Sequence, residues 1–306
     1  DAPGLAALGS GGVVGALRGI PLKAVADGAA LDAADLAGGE GPSVLMFITH
    51  FGDFNSWEVA QQLRTAVREG RVSGNLAVVG IGTVEAGQKF ADMLELPQSV
   101  PLYADPAGAC HASLGFSQGA LPEYKDQLNP YLRVFLMLLG VGSPGTIRTV
   151  LGGYFGNTDL GTEQTSWVDE ALKQGAARGR FPTTVPRRLP WEEAKPGEDS
   201  WVDLASAGSE VWDGRGFGET GLRPFELATV RLQNMCSGII ANWGDLKPPE
   251  DELLVQQGGA AVLDSQREAV YFYRDKGILT YVPVQDALAA ARSCAVGAAK
   301  VPAAKA

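Results

Sequence analysis

Sulfur and imidazole are scarce in this chain: its 306 residues include three cysteines, Cys110, Cys236 and Cys294, and two histidines, His50 and His111. The cysteines are scattered, odd in number and form no Cys-x-x-Cys, which argues against a disulfide-stapled framework and makes buried structural thiols the expectation. A zinc site of ordinary ligand spacing has no material to be built from, so neither metal nor cofactor is expected. No apolar stretch reaches the roughly 20 residues that span a bilayer; the run Tyr131 to Val141 is shorter and is interrupted by Arg133. Positive charge is also in deficit. The formal net charge of -10 argues against a nucleic-acid partner, because phosphate binding rests on clustered Lys and Arg.

What is present is the composition of a globular protein, 45% hydrophobic and 20% charged, long enough to bury a large core. The first residue is Asp1, which leads us to expect a processed form from which a targeting segment has been removed. Abundant Ala and Gly, with 40 Gly in all, and a loose tail from Val301 to Ala306 would suit a nuclear-encoded organelle protein.

The segments alternate. An apolar run at Val44 to Thr49 reads as a strand, Asp53 to about Glu69 as a helix and Leu76 to Ile81 as a second strand. Val84 to Leu94 then reads as a helix and Val100 to Tyr103 as a strand. Asp105-Pro106 signals a turn and the start of a short helix around Ala107 to Leu114. This order implies a parallel core, because parallel strands need crossovers. From about Gly115 to Leu222 the alternation fails, and we expect a large insertion there. A helix resumes at Pro224 to Trp243, strands at Ala260 to Asp264 and Ala269 to Tyr273 form a hairpin, and a helix at Val284 to Arg292 closes the domain. The predicted layout is a flexible N-terminus over 1–14, one domain over 15–292 with an insertion over about 116–222, and a flexible tail over 293–306.

The strand-turn-helix junction from Ser43 to Glu58 carries the most information. In thioredoxin-like proteins this junction holds Cys-x-x-Cys, where helix amides and the dipole lower a thiol pKa; here the four positions read Asp53-Phe54-Asn55-Ser56. Four stretches, Phe47 to Gly52, Val100 to Asp105, Gly142 to Thr146 and Arg223 to Thr229, resemble the peroxiredoxin-like branch of the thioredoxin superfamily, the alkyl-hydroperoxide-reductase and thiol-specific-antioxidant relatives. The resemblance implies an α/β thioredoxin-like fold, a central mixed sheet flanked by helices and bearing the loop-rich insertion. It places Asp53 where the attacking cysteine would stand and Ser56 where its partner would stand. The variant with Gly-Asp-Phe looks like members found in photosynthetic organisms, which implies residence in the chloroplast, in the stroma or at the stromal face of the thylakoid membrane.

Neither a carboxylate nor an alcohol cycles between thiol and disulfide, so the expected function is non-catalytic: a binding or assembly module, an auxiliary factor of a photosynthetic membrane complex such as a photosystem. The alternative is a thiol-dependent peroxidase or oxidoreductase using a displaced cysteine. Cys110 and Cys236 lack the exposed, electropositive setting of a thiolate, and Cys294 has no partner. A ligand in the old peroxide pocket near Phe51 and Asp53 is a third possibility. His50 is expected to be a hydrogen-bonded structural histidine, since it and Asp53 flank a turn. Asp53 itself is expected to be an N-cap. The Gly214 to Gly218 run follows no strand and reads as a surface loop. Partner-binding candidates are Tyr131, Phe135 and Leu138 in the apolar run and Trp167, Trp191, Trp201 and Trp212 in the insertion, because clustered aromatics anchor interfaces. The same tryptophans could instead fix the insertion to its own domain, and the apolar helix is expected to be buried.

Overall fold

A seven-stranded mixed sheet carries the strand-turn-helix junction. The computed structural model describes residues 11–147, 184–186, 201–203 and 235–299. The strands are β1 (Pro21–Ala24), β2 (Ala30–Asp32), β3 (Ser43–His50), β4 (Asn75–Ile81), β5 (Leu102–Ala104), β8 (Gly259–Leu263) and β9 (Ala269–Arg274), side by side in the order β2-β1-β5-β4-β3-β8-β9. Separate from it, β6 (Thr184–Pro186) and β7 (Trp201–Asp203) pair antiparallel. β3, β4 and β5 run parallel, β8 pairs antiparallel with β3, and β1 pairs antiparallel with β5. The central strand β3 is buried at every position, as expected for a run of Val, Leu, Met, Phe and Ile covered on both faces.

The helices are α1 (Gly12–Leu17), α2 (Phe54–Arg68), α3 (Val84–Met93), α4 (Ala109–Ser113), α5 (Pro130–Leu138), α6 (Trp243–Leu246) and α7 (Val284–Ala299). Val13 and Leu17 of α1 and Cys110 and Leu114 of α4 pack on Leu45 and Phe47 of β3, with Phe116 stacked on Phe272. α2 packs on β3, and α7 packs on β8, β3 and α2. Sequence expectation and structure agree on the parallel core and the closing hairpin. α1, β1 and β2 lie in a stretch where no element was expected, and α7 runs to Ala299, beyond the expected end at Arg292. The helix expected over Pro224 to Trp243 is described only from residue 235, is helical over 235–241, and breaks at Asn242 before α6 begins.

By contacts the chain divides into Asp1–Ile147 with Asn242–Ala306, and Arg148–Ala241. The first unit therefore includes residues 116–147, which the sequence assigns to the insertion. α5 explains why. Its one charged residue, Arg133, is 1% exposed, whereas Phe135 is 56% and Leu138 is 43% exposed. Internal burial of the apolar helix was expected, and the structure corrects this. The inner face carries Arg133 and Met137, four residues apart. The outer face carries Tyr131, Phe135 and Leu138 at helical spacing. Arg133 donates to Ala120 O at 2.7 Å, to Gln118 O at 2.8 Å and to Glu252 Oε2 at 3.1 Å. The guanidinium thus gathers the carbonyls of a loop that has no ladder to satisfy them.

Arg133→Ala should lower stability by about 2–4 kcal/mol, because the buried Ala120 carbonyl and the part-buried Gln118 carbonyl lose their donor and the helix loses its anchor. Arg133→Lys should recover only part of that, since an ammonium lacks the planar fork. Urea unfolding checks this, and a loss under about 1 kcal/mol for the alanine variant would remove Arg133 from its assigned role.

Candidate functional site

The end of β3 and the start of α2 are built as expected. Asp53 is the N-cap, extended at φ -103 and ψ 145, and its Oδ1 accepts from the Asn55 amide at 2.7 Å. The Trp57 indole closes the turn by donating to Phe51 O at 2.8 Å. α6 packs closely over Gly52: a Cβ there would lie 3.1 Å from the Trp243 ring and 3.2 Å from Leu246 O, tighter than an ordinary contact. The turn is roofed by α6 and largely buried. Asp53 is 8% exposed, Asn55 2% and Ser56 0%.

Enclosure forces each polar group to find a partner. Ser56 Oγ and Thr49 Oγ1 share a buried hydrogen bond of 2.8 Å that either hydroxyl can donate. Asn55 uses both ends of its amide on the loop after β9: Nδ2 donates to Gly277 O at 3.3 Å and Oδ1 accepts from the Leu279 amide at 2.8 Å. Burial raises the Asp53 pKa to about 6, against the pull of the Asn55 amide and the Thr49 hydroxyl. Burial likewise lowers His50 to about 3, partly offset by the Leu254 backbone, so the imidazole is neutral near pH 7. His50 Nε2 is 3.9 Å from Asp53 Oδ2 and the ring stands edge-on to Trp243. The structure corrects the expectation that the turn keeps these two apart. A neutral imidazole at that distance is a neighbour of the carboxyl rather than its partner.

A fourth group at this end of the sheet has no sequence signal. Asp275, in the Arg274-Asp275-Lys276-Gly277 run that reads as a solvated turn, is 6% exposed. Burial raises its pKa well above the ordinary value despite the Val282 and Gly258 amides, and the Asp53 charge adds to the rise. Burial and then Asp105 push the Cys110 thiol far up, and it sits fully buried among apolar side chains of the core. Asp105 caps α4, accepting from Ala109 at 3.0 Å and Cys110 at 2.8 Å, while His111 Nε2 lies 2.8 Å from Ile48 O. Burial also raises Cys236 and Cys294. None of the three is set up as a thiolate.

Of the other candidates, Tyr131, Phe135 and Leu138 come together on one exposed face of α5, and Tyr131 lies 6.4 Å from the Trp243 ring. Trp201 opens β7. Trp167, Trp191 and Trp212, the Gly214 to Gly218 run and the Arg223 to Thr229 stretch lie outside the described residues. Among the described residues, no three His, Cys, Asp or Glu side chains gather as metal ligands, and no helix is long and apolar enough to cross a membrane.

A parallel β3-α2-β4 unit extended by an antiparallel hairpin, with a capped turn at the strand end, defines a thioredoxin-like α/β protein. A family model described as AhpC/TSA antioxidant enzyme matches residues 62–277, more than half of the sequence, and the chain belongs to that family. The match begins after the Asp53 to Ser56 turn. The chain is also similar to the crystal structure of peroxidoxin BcpB from Mycobacterium tuberculosis, with 25% identity over 33% of this chain and a TM-score of 0.27. The similarity spans 64% of the length of that protein. No curated protein matches the chain.

The raised Asp53 pKa has a definite sign. The carboxyl is easier to protonate in the folded state, so its stability contribution is fully present below about pH 4 and is lost as pH rises through about 6. Asp53→Asn keeps a cap acceptor without the buried charge. Relative to the native chain it should be nearly neutral at about pH 4 and more stable by about 1–3 kcal/mol at about pH 7. Asp53→Ala should instead cost about 0.5–2 kcal/mol through the lost cap, measured at about pH 4 where the charge term is absent. Chemical denaturation of the three proteins at both pH values decides it.

Proposed function

We propose that this chain is a non-catalytic, peroxiredoxin-like binding module whose docking element is the outer face of α5. The observation that carries this proposal is the inversion of that helix. Except for Ile240 and Val270, the described large apolar side chains that are well exposed fall between Tyr124 and Ile147, each 41% to 56% exposed. Scattered exposed apolar residues are ordinary, but a continuous face of Tyr131, Leu132, Phe135, Leu138 and Leu139 is a surface built to be covered. Neighbouring aromatic and leucine side chains of this kind are the anchors of protein interfaces.

The β3-α2 turn supports the non-catalytic part. We take Asp53 and Ser56 to hold the positions of the paired cysteines. A carboxyl that caps the helix and a hydroxyl spent on Thr49 leave no sulfur to be oxidised, and the roof over them leaves little access. The displaced-cysteine alternative gains no support from Cys110, whose thiol is buried beside a carboxylate. We further propose that the module works in the chloroplast, at the stromal face of the thylakoid, as an assembly, repair or stabilisation factor of a photosynthetic membrane complex. That assignment rests on the likeness of the Gly52-Asp53-Phe54 variant to members from photosynthetic organisms.

The purified protein should turn over neither hydrogen peroxide nor an insulin-type disulfide above a no-protein control. Activity abolished by mutating one cysteine would overturn the non-catalytic assignment. Phe135→Glu places a charge on the exposed face without touching Arg133 or Met137. It should leave the unfolding midpoint within about 0.5 kcal/mol of native and reduce co-sedimentation with isolated thylakoid membranes about tenfold or more, as expected for loss of an aromatic anchor. Unchanged co-sedimentation would mean that α5 is not the docking element.

A further inference from the structure

The loop after β9 joins the β3-α2 turn to α5, and its contacts account for Gly142-Ser143-Pro144-Gly145-Thr146, a stretch to which the docking proposal gives no task. The peptide groups of Ile278 are bracketed by two buried hydroxyls. Its amide donates to Ser143 Oγ at 2.8 Å, and its carbonyl accepts from Thr146 Oγ1 at 2.7 Å. On either side of Ile278 the Asn55 side chain takes the neighbouring peptides: Nδ2 donates to Gly277 O at 3.3 Å and Oδ1 accepts from the Leu279 amide at 2.8 Å. Three consecutive residues of irregular backbone form a strap, stitched to the first turn of α2 on one side and to the loop following α5 on the other.

The strap is held in one conformation. Leu279 has φ +63, a left-handed conformation that a leucine adopts only under constraint. Gly277, at φ +145, has no room for a Cβ, which would come within 1.8 Å of Ser143 Oγ. Inward, Ile278 packs with Met137 of α5 and with Ala120 and Val255, and Leu279, Val134 and Leu136 pack against that cluster. The strap is therefore part of the floor on which the C-terminal half of α5 rests.

The other end of α5 reaches the same turn by a second route. Trp243 packs against Gly52, stands edge-on to His50 at 5.9 Å and lies 6.4 Å from the Tyr131 ring. A nine-residue helix is too short to hold its shape alone in water, so its supports decide how its outer face is presented. Arg133 fixes the middle, and the supports at both ends run back to the β3-α2 turn.

From this geometry we infer that Asn55 is a positioning residue for the docking face: through the strap it sets how the C-terminal half of α5 is presented. The inference rests on α5 being the docking element, and it names what aims that element. The residue type fits the task, because a carboxamide offers a donor and an acceptor together and so matches a peptide oxygen and a peptide N–H two residues apart. An aspartate there would only accept, and an alanine would do neither.

The test is amide hydrogen exchange on the full chain, with membrane co-sedimentation alongside. Asn55→Ala removes both strap bonds and keeps the backbone amide that caps on Asp53. It should lower the protection of Ile278 to Thr280 and of Phe135 to Val141 by about tenfold, the scale of one or two lost hydrogen bonds. Co-sedimentation with thylakoid membranes should fall about threefold or more, although no residue of the docking face is changed. Ser143→Ala, at the other end of the strap, should give the same loss over Phe135 to Val141. The double variant should be no worse there than the worse single one, since a strap already released has nothing further to lose. Asn55→Asp, which keeps the acceptor and drops the donor, should show part of the loss and serves where the alanine variant does not fold. Native protection of α5 in the Asn55 variants overturns the inference, as do additive losses in the double variant, which mark general destabilisation. Native co-sedimentation of Asn55→Ala where Phe135→Glu is impaired overturns it too. Native co-sedimentation of Phe135→Glu is instead the failure of the docking proposal.

Discussion

A helix N-terminus offers unpaired amides and a favourable potential for negative charge, yet at Asp53 that offer is made where water is excluded. The two effects oppose each other, and the organisation around the turn follows from their competition. The cap hydrogen bond fixes where α2 begins. Its desolvation is offset in part by the Asn55 amide and the Thr49 hydroxyl. The same enclosure acts on the neighbours: burial keeps His50 neutral and shifts Asp275 toward protonation. Asn55, pointing away from the cap, turns the same helix end into an anchor for the loop after β9. One competition between dipole and desolvation therefore sets the hydrogen bonding of four neighbouring segments.

Arg133 solves a related problem with opposite sign. A buried guanidinium is costly unless its donors are used, and here they go to the carbonyls of Ala120 and Gln118 and to Glu252, which is half exposed. The loop from Phe116 to Leu121 forms no strand or helix, so without this donor the buried Ala120 carbonyl would be left unpaired. Spending the one charge of α5 inward leaves only apolar residues for the outer face. The exposure of Phe135 and Leu138 is thus a consequence of how the loop beneath is satisfied, and a hydrophobic helix becomes a presenting surface instead of a core element.

The alternating segments, the cap at Asp53 and the helix start at Asp105 were legible because they rest on local rules: periodicity, and side-chain acceptors placed just before a helical run. Asp275 was not legible. Its neighbours Arg274, Lys276 and Gly277 spell a surface turn, and only the tertiary placement of α2 and the strap encloses it. The proximity of His50 to Asp53 was misjudged because strand alternation does not continue through a turn, where the chain doubles back. Arg133 defeated the pattern more fully. An apolar run with one charge reads as a buried helix, and the structure instead buries the charge and exposes much of the apolar surface, because backbone demand outweighs side-chain hydrophobicity at that spot. α1, β1 and β2 carry short, Gly- and Ala-rich sequences whose structure comes from pairing with β5 and from packing on the sheet.

Membership of a family named for antioxidant enzymes assigns the scaffold and leaves the chemistry to the residues at the site. The features of a helix N-terminus that would lower a thiol's pKa are the same ones that favour a carboxylate cap such as Asp53. Around that cap Trp243 lies against Gly52, and Asn55 ties the helix start to the loop after β9. With the turn enclosed in this way, the well-exposed large apolar side chains among the described residues gather chiefly on and around α5.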